Sequence, residues 1–261
     1  MNATRFDHLP LVSVVIPSLN QGHFIGDTID SILSQDYCNI EVIVVDGASQ
    51  DNTIEILKSY GDRIRWVSEP DRGESHAINK GIRLIRGDIY SRVNSDDMLE
   101  KGAVSYVVGY FTSHLDVDMI YGECLDINTE GSVIGRQWAQ NPWDIRIYIR
   151  HNRGWIPTPS VFMRRKVIAT VGFQDETLHH AADHDLWLRI YKAGFKIEYV
   201  PGVLARYRWH ESQLTAKYQT RFLVEGFQVS ARYGYLLDVA YYGLRLLRPL
   251  IRSLRMKYLS K

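Results

Sequence analysis

The 261-residue sequence predicts an α/β protein with a parallel sheet wound by helices in its first half and a mixed sheet in its second. Three observations predict it. Short apolar runs alternate with stretches in which Ile and Leu recur at helical spacing. The segments between them are rich in Asp, Asn, Ser and Gly. Asp46, Asp71 and Asp96 each follow one of the apolar runs, so parallel strands would carry all three acids to one sheet edge, where ligands of such sheets bind.

The elements follow in order. Val12–Ile16 reads as a buried strand stopped by Pro17. Ile25, Ile29, Ile32 and Leu33 mark the apolar face of a helix. Ile40–Val45 is a second buried strand, running into the turn-rich segment Asp46-Gly47-Ala48-Ser49-Gln50-Asp51, with a helix N-cap near Asp51. Ile54 and Leu57 open the apolar face of that helix, and Ile64–Val67 is a third strand. Ile78, Ile82 and Ile85 place a helix on Ser75–Arg86, ended by Gly87. Asp88–Val93 is the fourth strand, followed by a helix over Glu100–Tyr110. The second half is less regular. Met119–Tyr121, Ser132–Gly135 and Ser160–Met163 read as strands and Pro142–Arg150 as a short helix. Asp183–Lys192 is a helix ended by Gly194, and Phe195, Ile197 and Tyr199 alternate as a strand with one buried face.

The formal net charge is +1, so no global basic field argues for nucleic acid. Cys38 and Cys124 form no Cys-x-x-Cys pattern, which speaks against a zinc site and fits a reducing, cytoplasmic compartment. No apolar leader core opens the chain, and no apolar run is long enough to span a bilayer. The chain divides into a domain over 1–215 and a tail over 216–261. That tail carries Leu244, Leu246 and Leu247 beside Arg245, Arg248, Arg252, Arg255 and Lys257, with no acid after Asp238. It reads as a basic amphipathic helix for the inner face of a membrane, or as a helix packed on the domain or on a second copy.

The adjacent carboxylates Asp96 and Asp97 repel, and a cation or water must screen them. A hard divalent cation takes oxygen ligands and bridges carboxylate to substrate phosphate. A solvated turn capping the next helix is the structural alternative.

The ordered set Val14-Val15-Ile16-Pro17-Ser18-Leu19-Asn20, Asp46-Gly47-Ala48-Ser49, Glu69-Pro70-Asp71-Arg72-Gly73, Ala77-Ile78-Asn79-Lys80-Gly81 and Asn94-Ser95-Asp96-Asp97 resembles family 2 glycosyltransferases. The likeness continues through Pro159–Arg165, Asp183–Arg189 and Arg206–His210 and covers roughly 12 to 215. The resemblance implies the GT-A fold and inverting transfer of a sugar from a nucleotide-sugar donor, with Mg²⁺ or Mn²⁺ as cofactor. It implies a UDP-, GDP- or dTDP-linked donor and a glycan or lipid-linked acceptor, in the setting of bacterial surface polysaccharide synthesis. Pro17, Ser18 and Asn20 would wall the nucleotide pocket, and Asp46 and Asp71 would accept from the ring N–H of the base. Asn94 and Ser95 would line the ribose side. Asp96, with Asp97 and His210, would hold the metal. Asp183 would be the general base.

Two positions depart from the family's usual pattern. Asn94 stands where an acid is common, and an amide is a poorer cation ligand. Ala182 stands where a Glu commonly precedes the base. Lys80 reads as a solvated helix residue, Asp185 as a brace to Arg189, and Trp187 as core or acceptor wall. His179, His180 and His184 lack metal spacing. Two rivals are a nucleotidyltransferase, which needs a Gly-rich basic signature absent after the first strand, and a non-catalytic binding module, for which Asp96, Asp97 and Asp183 would be superfluous.

Overall fold

The computed structural model describes residues 9–137, 139, 144–145, 148–149, 156–211, 213 and 219–235. Its strands are β1 (Val12–Ser18), β2 (Ile40–Asp46), β3 (Arg65–Ser68), β4 (Ile89–Arg92), β5 (Met98–Leu99), β6 (Met119–Ile127), β7 (Val133–Gln137), β8 (Phe162–Arg164) and β9 (Ile197–Arg208). Its helices are α1 (Ile25–Leu33), α2 (Thr53–Ser59), α3 (Glu74–Leu84), α4 (Ala103–Ser113), α5 (Arg165–Val171), α6 (Ala182–Lys192) and α7 (Gln219–Arg232). The strands form one sheet in the order β3-β2-β1-β4-β8-β6-β9-β5, with β7 added to β6. β3, β2, β1 and β4 run parallel, and β8 enters antiparallel, so the sheet is mixed as the sequence predicts.

Helices cover both faces, which is why β1 is apolar on both. Val12, Val14 and Ile16 pack with Ile25, Ile29 and Ile32 of α1 and Val104, Val107 and Phe111 of α4. Val15 packs on the other face with Ala77, Ile78 and Ile82 of α3. Each such fully buried side chain contributes about 1.5–3 kcal/mol. The α3–β1 approach is close: a Cβ on Gly81 would lie 2.3 Å from the Val15 side chain.

Several boundaries differ from the sequence expectation for identifiable reasons. β1 continues through Pro17 to Ser18. The Val15 carbonyl accepts from Val93 N–H, so Val15, and Pro17 two residues on, both present their backbone toward β4. The β1–β4 ladder ends at Val15↔Arg92, and the N–H that proline lacks has no strand to meet. The expected helix at Glu100 begins instead at Ala103, behind Gly102 at φ 79. Met98–Leu99 is a short strand paired with Arg206–Ala205 of β9, so Asp96 and Asp97 sit in a strand-to-strand turn and cap no helix. β9 is twelve residues long, and register shifts against β6 at Tyr121/Glu123 and Glu123/Cys124 carry it past Pro201 and Gly202. Ser160 belongs to a 3₁₀ turn, and the strand expected there starts at Phe162. The helix expected over Pro142–Arg150 and the tail beyond Tyr235 lie largely outside the described residues. No helix among the described residues is long and apolar enough to cross a membrane.

α7, which the sequence assigns to the tail, packs on α6. His184 of α6 is buried between the Tyr148 hydroxyl at 3.0 Å and the Ser230 hydroxyl at 2.7 Å. Burial holds its pKa down to about 4. The folded imidazole is therefore neutral where the unfolded one is charged. Stability is undiminished above the unfolded value near 6.5 and falls as pH drops toward 4, by on the order of 3 kcal/mol. Urea titrations at pH 7.5 and 5 should show about 2 kcal/mol of that loss, and His184→Gln should flatten the pH slope.

Candidate active site

The carboxyl ends of β1 to β4 build the site. Asp46 ends β2 and is completely buried. Its carboxylate accepts from Ser49 N–H at 2.9 Å, from the Ser68 hydroxyl at 2.6 Å and from the Ser49 hydroxyl. The Ser49 oxygen in turn accepts Asn20 N–H at 2.7 Å, and the Asn20 side chain accepts Gln50 N–H at 2.8 Å. Asn20 and Ala48 are held at positive φ, 52° and 66°. Asn tolerates that conformation, whereas Ala48 carries strain of about 1 kcal/mol or more, held by the ladder around it. The Asp46 oxygens thus organise the two loops from below, at the position the sequence assigns to the base pocket.

Asp71 occupies the open position instead. One of its oxygens accepts Gly73 N–H at 2.9 Å. The other lies 2.5 Å from where a Cβ on Gly47 would stand. Gly47 is glycine because Asp71 lies across it. Gly47→Ala should push Asp71 aside and weaken nucleotide binding about tenfold or more while lowering Tm only slightly, as read by nucleotide titration and calorimetry. Lys80 reaches Glu69 at 2.8 Å and the Pro70 carbonyl at 3.1 Å, fixing the loop that presents Asp71.

The Asp96–Asp97 pair is split between two environments. Asp97 turns inward, wholly buried, and accepts Arg208 N–H at 3.1 Å; its second oxygen has no hydrogen-bond partner. Burial and then the neighbouring Asp96 carboxylate push the Asp97 carboxyl well above the usual range, against the pull of that N–H and of Arg92. Asp96 turns outward and meets His210 Nε2 at 2.9 Å. The two carboxylates expected to share a cation therefore point in different directions.

The Arg208 guanidinium is fully buried beneath the pair. It donates to the Asp96 carbonyl at 2.9 Å, the Thr129 carbonyl at 2.7 Å and Asp27 at 3.0 Å. It braces the turn and cannot itself reach a ligand. The Phe24 ring lies 4.9 Å from both Arg208 and His210, and it seats the imidazole.

Asp183, at the start of α6, lies on the other side of the cleft. Arg92 donates to it at 2.9 Å, Thr158 at 3.1 Å and Gln174 at 2.8 Å. The Arg92 side chain is 9% exposed and that of Asp183 is 30% exposed, so the pair is anchored inside and open outside. Burial works against the Arg92 charge, but Asp183 and Glu74 outweigh it and keep the guanidinium charged. Glu74, at the first turn of α3, lies 3.5 Å from Arg92. Burial raises its carboxyl, and although Arg92 opposes that, the Asp183 and Asp96 charges raise it further; Glu74 thus lies within the field of both acidic positions.

Asp71, Asp96, His210 and Asp183 thus gather at one sheet edge. The remaining expected positions sit as follows: Ser18 and Ser95 are buried at strand ends, Asn94 is half-buried, and Asp185 pairs with Arg189 at 2.7 Å as expected. Trp187 is buried among the core residues. Sequence reasoning missed Arg92, Glu74, Gln174 and Thr158. A signal existed for Arg92, an arginine inside a buried strand, which must have a carboxylate partner. Among the described residues no cluster of three or more His, Cys, Asp or Glu side chains could hold a metal by itself.

The sequence profile described as Glycosyl transferase family 2 matches residues 13–172. An uncharacterized glycosyltransferase of Rickettsia felis is 30% identical over 218 residues, covering 80% of this chain and 36% of that protein. The chondroitin synthase of Escherichia coli is 30% identical over 74% of this chain and 28% of its own length. The chain spans between about a fifth and two thirds of the length of the curated relatives it matches. Among solved structures, S. aureus TarS 1-349 in complex with UDP-GlcNAc superposes with a TM-score of 0.73 at 17% identity, covering 91% of this chain and 73% of that one. The mannosyltransferase PcManGT from Pyrobaculum calidifontis, in complex with GDP-Man and Mn²⁺, gives 0.68 at 20% identity, covering 90% and 70%. These likenesses establish the GT-A fold.

Proposed function

The chain belongs to glycosyl transferase family 2, and from that premise we propose that it transfers a sugar, with inversion, from a UDP-, GDP- or dTDP-linked donor to a hydroxyl of a glycan or lipid-linked acceptor. The observation that carries this reading is the separation of the two acidic positions. Asp96 is set against an imidazole and Asp183 against a guanidinium, on opposite sides of one cleft.

The nucleotide lies along the loops after β1 and β2, against Pro17, Ser18 and Asn20, with Asp71 accepting from the base N–H. Asn94 and Ser95 border the ribose. Asp96 and His210, which hydrogen-bond each other through Oδ2 and Nε2, would exchange that contact for Mn²⁺ or Mg²⁺, with diphosphate oxygens and water as further ligands. That cation supplies positive charge against the leaving diphosphate. Asp97 steadies the turn from below by accepting Arg208 N–H. Asp183, held by the Arg92 guanidinium at 2.9 Å, accepts the proton of the attacking hydroxyl. Thr158 and Gln174 hold its two oxygens in place.

Relatives named as synthases of chondroitin and hyaluronan support a role in building bacterial polysaccharide. The basic tail beyond Tyr235 would bring the cleft to a lipid-linked acceptor at a membrane surface.

A melting screen against nucleotide sugars in Mn²⁺, followed by transfer assays on an oligosaccharide panel, tests the reading. A UDP-, GDP- or dTDP-sugar should raise Tm, and EDTA should reverse the gain. No shift by any donor, together with no transfer to any acceptor, would overturn it.

A further inference from the structure

A cavity of about 160 Å³ lies between Arg72–Ser75, at the start of α3, and Glu176, Leu178, His179 and His180. One wall is the start of α3. The other is the loop that leads into α6 and Asp183. Glu74 joins the cavity to the base through Arg92.

That loop is held at two points. At its near end Asn79 of α3 donates to the Gln174 carbonyl at 2.9 Å and to Glu176 at 3.0 Å, and its own oxygen accepts Gln174 N–H at 2.9 Å. At its far end the holding group comes from α7. The Glu225 carboxylate accepts three successive backbone N–H groups, of His179 at 3.2 Å, His180 at 2.7 Å and Ala181 at 3.0 Å. Ala181 is the N-cap of α6 and provides no side-chain cap of its own. A carboxylate there satisfies the N-cap amide and the two before it, and its charge suits the positive end of the helix. Further along, Ser230 and Tyr233 of the same C-terminal segment bond His184 and Asp185, the two residues after Asp183.

We propose that Glu225 is a positioning residue for the acceptor half of the site. By gathering the His179–Ala181 amides it fixes both the cavity wall and the backbone from which Asp183 projects. Among the described residues the Glu225 hydrogen bonds all go to the His179–Ala181 backbone and none to β1, β2 or the Asp96 turn. α7 is therefore a part of the acceptor site and is not a detachable tail. The acceptor role rests on the proposed glycosyl transfer; the loop-holding role rests on geometry alone.

The test compares wild type, Glu225→Gln and Glu225→Ala as full chains. Hydrogen exchange without ligand should rise about tenfold or more in peptides covering 178–183 of Glu225→Ala and stay unchanged in β1 and α3. Glu225→Gln, which keeps one accepting oxygen, should fall between. In steady state, using the donor and the oligosaccharide that wild type turns over fastest in the panel, the acceptor KM should rise about tenfold, the scale of a lost charge-assisted hydrogen bond. UDP affinity in Mn²⁺ should stay within about twofold. An unchanged acceptor KM would overturn the proposal, as would exchange that rises evenly through the sheet. If wild type transfers nothing, the functional reading fails and the acceptor role with it, while the exchange result still decides whether Glu225 holds the loop.

Discussion

Asp183→Asn lowers kcat by about a hundredfold or more and leaves donor affinity nearly unchanged, because it removes a general base without touching the nucleotide loops. The substitution is close to isosteric, and the surroundings can absorb it. Arg92 and Thr158 both donate to one Asp183 oxygen, which an amide can still present. The other oxygen accepts from Gln174, whose own amide oxygen is buried without a partner. Rotation of the Gln174 amide would let it accept from the nitrogen that the substitution introduces. Arg92 keeps Glu74 at 3.5 Å as a counter-charge. The fold should therefore survive, and the loss should be chemical. Steady-state kinetics with UDP titration decides it: lost donor binding with near-normal turnover would reverse the assignment.

Asp96→Ala abolishes cation-dependent binding of the nucleoside diphosphate and reduces transfer by more than about a hundredfold. It deletes the oxygen that faces His210 Nε2 at 2.9 Å, one of the two donors offered to the cation. The backbone carbonyl at position 96 still accepts Arg208 Nε, and Asp97 still accepts Arg208 N–H, so the turn keeps its shape. Asp97→Asn should behave differently. Its carboxyl is buried and held toward the protonated form, so a neutral amide should leave Tm at pH 8 level or higher and should not abolish Mn²⁺ binding. UDP titrations with and without Mn²⁺ check both variants. Full transfer by Asp96→Ala, or by wild type in excess EDTA, would contradict the account.

The parallel half of the fold was legible because its signals are local. β1 and β2 are continuous apolar runs, and α1 and α3 repeat Ile at helical spacing. The second half was harder. β5 is two residues long and exists because Ala205 and Arg206 of β9 pair with it from far along the chain, which no window around Met98 contains. The division of labour within the site was hidden for the same reason. Asp96 and Asp97 are neighbours of one residue type, and only the placement of Arg208 beneath one and His210 beside the other separates them. Asp46 and Asp71 look alike as acids after strands. Ser49 and Ser68 bury the first, while the bare backbone of Gly47 makes room for the second. Asp183 was found by resemblance to a family, but Arg92, Thr158 and Gln174, which hold it, come from three separate segments.

The most direct measurement is the anomeric configuration of the product, followed by proton NMR during transfer from an α-linked nucleotide sugar. With Asp183 as the proposed base, held by Arg92 at 2.9 Å, single displacement by the hydroxyl it would activate predicts a β-linked product from the first turnover. An α-linked product would contradict the account, because it would require a second displacement for which the mechanism provides no residue.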